Sequence, residues 1–172
     1  MGQAYYDVPM TRQEDNPICW LACVSMVLSW DQNSTVSIGS LNGGFDPSNS
    51  CISNPVTSWA DQYQRLESFG LTSENIEACP APAFVEGLLE EHGPFILTHL
   101  VSNFPYGRGR GNGSTADPGA THAVVITGVD TDAGHAWMNN PWGDKDQYIP
   151  LDSVLQSMTS LFLRNIRSVA HL

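Results

Sequence analysis

The 172 residues predict an α+β domain in which a helical lobe packs against an antiparallel sheet, and three observations carry that expectation. Up to His92 the apolar residues recur at helical spacing, in three stretches each followed by turn-forming residues. Beyond Gly93 the period shortens and β-branched residues gather in runs that read as strands. A hydrophobic fraction of 41% against 15% charged residues is that of a globular chain able to bury a core at this length. One domain over 1–172 is expected, with a helical half at about 16–93 and a sheet half at about 94–172.

Residues 1–15 read as an extended lead-in whose Tyr5, Tyr6, Val8 and Pro9 can lie across a core. The first helix follows directly. Asn16 can cap it, Pro17 can take the first helical position, and the apolar run continues to about Trp30. Residues 31–56 are dense in Asn, Ser, Gly and Pro, which predicts an irregular excursion able to form one wall of a cleft. A second helix is predicted from Thr57 or Ser58 to Phe69, stopped by Gly70, because Trp59, Tyr63, Leu66 and Phe69 share helical spacing. The third follows Pro80-Ala81-Pro82, carries Phe84, Val85, Leu88 and Leu89, and closes at Gly93. The predicted strands are Phe95 to Val101, His122 to Val129, His135 to Asn139 and Ser160 to Ile166, with a short helix after the cap candidate Asp152. Between the first two strands, Tyr106 to Gly119 contains five glycines. A phosphate loop is a poor reading there because no helix follows, and a flap over the site is expected instead.

The net charge of −11, with Lys145 the only lysine, argues against nonspecific binding to nucleic acid or anionic membranes. No apolar run is long enough to cross a bilayer, so no membrane insertion is expected, and the N-terminus lacks the pattern of a secretory signal. Four cysteines at this length do not make a disulfide framework, although Cys51 and Cys79 can pair. The spacing of Cys19 and Cys23 is wrong for structural zinc, so neither metal nor cofactor is expected.

Chemistry gathers at three places. Cys19 stands in the first turn of a helix, where backbone N–H groups and the positive end of the dipole favour the thiolate. A free cysteine is more often a small core hydrophobe, and Cys23, one turn on, reads as that. His122 opens an apolar strand, a position that suits a general base. Asn140 ends a strand ahead of Pro141-Trp142-Gly143, where an amide can orient an imidazole. Proline holds Asn140 extended, which favours it over Asn139 as the orienter. His92, His99, His135 and His171 read as structural or solvated, and Asp130 and Asp132 as shaping a hairpin with Gly134.

These residues resemble the papain-like cysteine peptidases. Cys19-Trp20 at a helix start, Gln13 ahead of it, His122 opening a strand and Asn140 before Pro141-Trp142-Gly143 match that family's nucleophile, oxyanion glutamine, base and orienting amide. Asn16-Pro17-Ile18 departs from the plant and lysosomal signature, and the spacing from Cys19 to His122 is short against roughly 130–150 residues. The resemblance is therefore to compact bacterial members, the avirulence-type effector peptidases and, more distantly, the leader peptidases of bacteriocin exporters. It implies a bacterial effector or processing protease without metal, acting on peptide bonds of a protein or peptide substrate. The effector reading is preferred: a monomer secreted or delivered into a target cell as a virulence factor, with a cytoplasmic location as the alternative. A deamidase or peptidoglycan amidase would use the same residues. A silent binding module is the rival of another class.

Overall fold

The computed structural model describes residues 2–13, 18–41, 55–104, 120–161 and 166–172. Asn16, Pro17, Cys51, half of the predicted 31–56 excursion (42–54) and the whole Tyr106 to Gly119 segment lie outside them. Strand β4 (Thr121–Asp130) organises the rest. Its eight inner residues, His122 to Val129, are all buried, because helices cover both faces of the sheet. Such a strand reads as a continuous apolar run rather than an alternation. Parity sorts its side chains. Ala123 and Val125 join the core under helix α1 (Cys19–Asp31), and Val124 and Ile126 join the core under α4 (Pro82–His92) and α5 (Leu151–Thr159).

Around β4 the antiparallel sheet runs in the order β2-β7-β3-β4-β5-β6. The partners are β2 (Thr72–Glu74), β7 (Val169–His171), β3 (Phe95–Leu100), β5 (His135–Asn140) and β6 (Asp144–Pro150). Strand β1 (Gln3–Tyr5) pairs with Gly128 to Asp130, beyond the residues of β4 that pair with β3. Gly128 makes that approach possible. A Cβ there would lie 2.6 Å from the Ala4 carbonyl oxygen and 3.0 Å from the Trp137 ring.

Trp20 to Ser29 of α1 are all buried, and a helix that is covered all round needs its polar residues satisfied. Ser25 Oγ donates to the Val36 carbonyl at 2.6 Å and so accepts from Thr11 Oγ1 at 2.9 Å, while Ser29 Oγ accepts from Val36 N at 2.9 Å. Helix α2 (Ile38–Leu41) is a single short turn. Helix α3 (Pro55–Ser68) ends as predicted at Gly70, whose φ is +86°, with Leu71 N reaching back to Leu66 O at 2.9 Å. No helix among the described residues is long and apolar enough to cross a membrane.

Several local expectations are corrected. The last strand among the described residues is Val169–His171, and of the predicted strand Ser160 to Ile166, residues 162–165 lie outside the described residues. Ser160 and Leu161 turn out of α5, and Leu161 and Ile166 are apolar because they anchor Trp59 in a small core of their own. Asp152 does not cap α5, since Pro150 holds the cap position and Asp152 stands inside the first turn, where its carboxylate still faces the positive helix end. Phe84 of α4 is exposed rather than packed with Val85, Leu88 and Leu89. Cys79 is an exposed free thiol, and Cys51, with which the sequence left a pairing open, lies outside the described residues. Strand β2 falls within the predicted helical half and joins the edge of the sheet.

Candidate active site

The start of β4, the end of β5 and the N-terminal lead-in meet at one corner of the sheet. His122 is 3% exposed, and its Nε2 lies 2.9 Å from Asn140 Oδ1, with Asn140 itself fully buried. The backbone N–H of Trp142 also donates to Asn140 Oδ1, at 3.1 Å. A backbone N–H can only donate, so the atom it meets is the amide oxygen and His122 Nε2 must carry the hydrogen. That leaves Nδ1 as the basic nitrogen of the neutral ring. The Trp142 indole stacks on the imidazole with centroids 4.0 Å apart and planes at 17°. Burial pushes the His122 imidazole down to about 4, against the Asn140 bond, which favours the charged form. The ring is therefore a neutral, oriented proton acceptor at pH 7.

The turn after Asn140 is shaped by backbone. Gly143 N bonds the Asn140 carbonyl at 2.8 Å, and Gly143 has a φ of +114°. A Cβ on Gly143 would lie 2.9 Å from Arg12 Nε, so the Arg12 guanidinium rests on the space that glycine leaves. Gln13, the next residue, donates its N–H to the Pro141 carbonyl at 2.9 Å. The lead-in is thus fastened at three levels: Val8 O to the Asn139 side-chain amide at 3.0 Å, Thr11 to Ser25 of α1, and Gln13 to Pro141. These bonds bring Gln13 to the His122–Asn140 corner and tie the same segment to the helix that Cys19 begins.

Cys19 is the first residue of α1, half-buried at the margin of the core that holds Ile18 and Ala123, the neighbour of His122. The cap position is taken by Ile18, with no side-chain cap bond, and Ala22 N closes the first helical bond to Ile18 O at 3.0 Å. A helix that starts at Cys19 places that residue's N–H at the positive end of the dipole, pointing out of the helix. Cys23 is fully buried, and desolvation, with Cys19 adding to it, pushes its thiol up, which makes it a core residue.

Asn139 does something else. Its Nδ2 donates to Val8 O, and its Oδ1 accepts from Asp146 N at 2.9 Å, so it binds β5 to the lead-in and to β6. Of the other histidines, His92 stacks on His171, which meets Glu74 at 3.2 Å, and His135 stacks on Tyr148. Asp130 accepts from Ala133 N in the hairpin closed by Gly134. His99 departs from the bland reading, because it is buried directly across the strand pair from His122. A signal was present in the sequence: two apolar runs, each with a histidine toward one end, become a facing pair once the runs are antiparallel.

The comparisons agree with this architecture. The sequence model described as "Peptidase_C39 like family" matches residues 5–160. A structure described as a C39-like peptidase from Bacillus anthracis superposes with a TM-score of 0.63 at 13% identity, covering 100% of this chain and 98% of that one. A double-glycine-motif protease from an AMS/PCAT transporter, in complex with its leader peptide, gives a TM-score of 0.54 at 20% identity, covering 91% and 89%. No curated protein matches the sequence. One of these two structures is a leader-peptide-bound protease from a transporter. The papain-like fold and the cysteine-peptidase class expected from the motif both stand. With its match extending over most of the chain, this protein belongs to the Peptidase_C39 like family and is a hydrolase of the cysteine-protease type.

Proposed function

We propose that the chain hydrolyses peptide bonds through Cys19, His122 and Asn140, with Gln13 at the oxyanion. The observation that carries this reading is the buried 2.9 Å bond from His122 Nε2 to Asn140 Oδ1, shielded by Trp142, which directs the basic Nδ1 away from Asn140. His122 accepts the Cys19 thiol proton as sulfur attacks the carbonyl carbon. Gln13 and the Cys19 backbone N–H stabilise the oxyanion that forms. His122 then delivers the proton to the leaving amine as the C–N bond breaks, leaving a thioester. Water, deprotonated by the same imidazole, attacks the thioester and restores the thiol. Asn140 orients the ring in every step and takes no proton.

A peptide is the substrate class this reading favours, in keeping with the relative whose structure holds a leader peptide. Action as a monomer and delivery of the protein out of the cell that makes it, as an effector, belong to the same proposal and are supported by the sequence resemblance. The test is incubation with a proteome-derived peptide library, reading new termini by mass spectrometry against the Cys19→Ala protein. New termini made by the wild type alone are expected. Deamidated or muropeptide products without new peptide termini would replace the peptidase reading by an amidase one. An active Cys19→Ala protein would sink the mechanism.

A further inference from the structure

We propose that His99 is a positioning residue for His122: a second buried imidazole that walls the base on the side of β3, fixing its ring and keeping water from it. The inference rests on the reading of His122 as the base.

The geometry comes from register. His99 and His122 are directly opposite in the β3–β4 ladder, with ring centroids 6.0 Å apart and planes at 77°. Directly opposed side chains on one face are the closest contacts a sheet offers. His99 is fully buried and packs on Phe104 with centroids 4.1 Å apart, so the wall is itself held from behind. His122 therefore meets three fixed neighbours: the Asn140 amide at its Nε2, the Trp142 indole stacked on its face, and the His99 ring. Along β3, the residues on the same face as His99 are Phe95 and Leu97, both in the apolar core.

Two imidazoles this close in a dry layer cannot both carry a proton. Burial, reinforced by His122, holds His99 well below the ordinary histidine range, while the Leu97 backbone works weakly the other way. Among the described residues, the titratable group recorded against His99 is His122, and its other recorded neighbours, the Phe104 ring and the Leu97 backbone, are uncharged. The proton taken from Cys19 thus arrives on His122 beside a neutral ring that neither repels it nor admits water to stabilise it unduly. A neutral aromatic ring should suffice for this role, and a small polar side chain should not.

The experiment compares wild type, His99→Phe and His99→Asn, with His99→Gln in place of the last if circular dichroism shows that His99→Asn does not fold. His99→Phe is expected to keep kcat and the acid limb of kcat/KM close to wild type. His99→Asn should lose about tenfold in kcat with KM little changed, as expected for a loosened catalytic group. Its acid limb should move up by about one pH unit as water reaches His122. The same shift is read without turnover by NMR titration of the His122 ring in the Cys19→Ala background. Coincident titrations in all three proteins, or a His99→Phe protein as impaired as His99→Asn, would overturn the role of His99 and leave the base assignment untouched. Turnover by Cys19→Ala would overturn the base assignment itself.

Discussion

Asn139 and Asn140 are adjacent, identical and both fully buried, yet they serve different partners. Asn139 sits opposite Val125, on the face covered by α1, and spends both ends of its amide on backbone groups of other segments. Asn140 turns instead to His122, and its oxygen holds an imidazole and the Trp142 N–H together. One amide fastens the fold and the other fastens a proton acceptor. The difference teaches that burial and residue type do not mark a functional side chain. What marks it is whether its partner is backbone, which is present in every fold, or a titratable ring.

The sharpest way to break this comparison is to delete each amide in turn. Asn140→Ala should cut kcat by about 10³-fold, because an unoriented imidazole loses both tautomer and direction. It also leaves the His122 Nε2–H and the Trp142 N–H without their acceptor, so a stability loss of the same order as that of Asn139→Ala accompanies it, and Asn140→Asp should retain more turnover. Gln13→Ala, which removes a side chain brought to the same corner by the Pro141 contact, should lose about 10²- to 10³-fold in kcat with a smaller change in KM. Unchanged kcat would mean that backbone alone forms the oxyanion site.

Asn139→Ala should act on stability instead. It leaves the buried Val8 carbonyl and the Asp146 N–H without their partner, a loss of about 2 kcal/mol read from urea unfolding, with kcat per folded molecule retained. Should Asn139→Ala lose turnover at an unchanged unfolding midpoint, the roles of the two amides are exchanged.

A further prediction concerns pH. His122 titrates at about 4 in the folded chain and near 6.5 when unfolded, and His99 is displaced in the same direction. Between those values the unfolded state binds more protons, so stability is whole above pH 6.5 and is lost as pH falls from about 6.5 toward 4. His99→Phe should make that decline shallower, whereas Asn139→Ala should lower stability equally across the range. A urea midpoint in the wild type that does not fall between pH 6.5 and 4 would contradict two buried neutral imidazoles.

What the sequence by itself determined is the set of features carried by local period and local backbone restriction. Ten consecutive buried residues make α1 helical from Cys19 onward, β-branched residues make β4 a buried strand led by His122, and Pro141 stiffens Asn140 at the end of β5. Tertiary structure alone decided which polar segments join the sheet. β6 has one buried residue, Ile149, and β1 and β2 are three residues long, so their only signature is hydrogen bonding to strands far away in sequence. It also decided that Leu161 and Ile166 pack with Trp59, that Arg12 lies on Gly143, and that His99 faces His122. Period tells a side chain which face it takes, but a neighbour across the ladder is chosen by register, and register is set by the packing of the whole sheet.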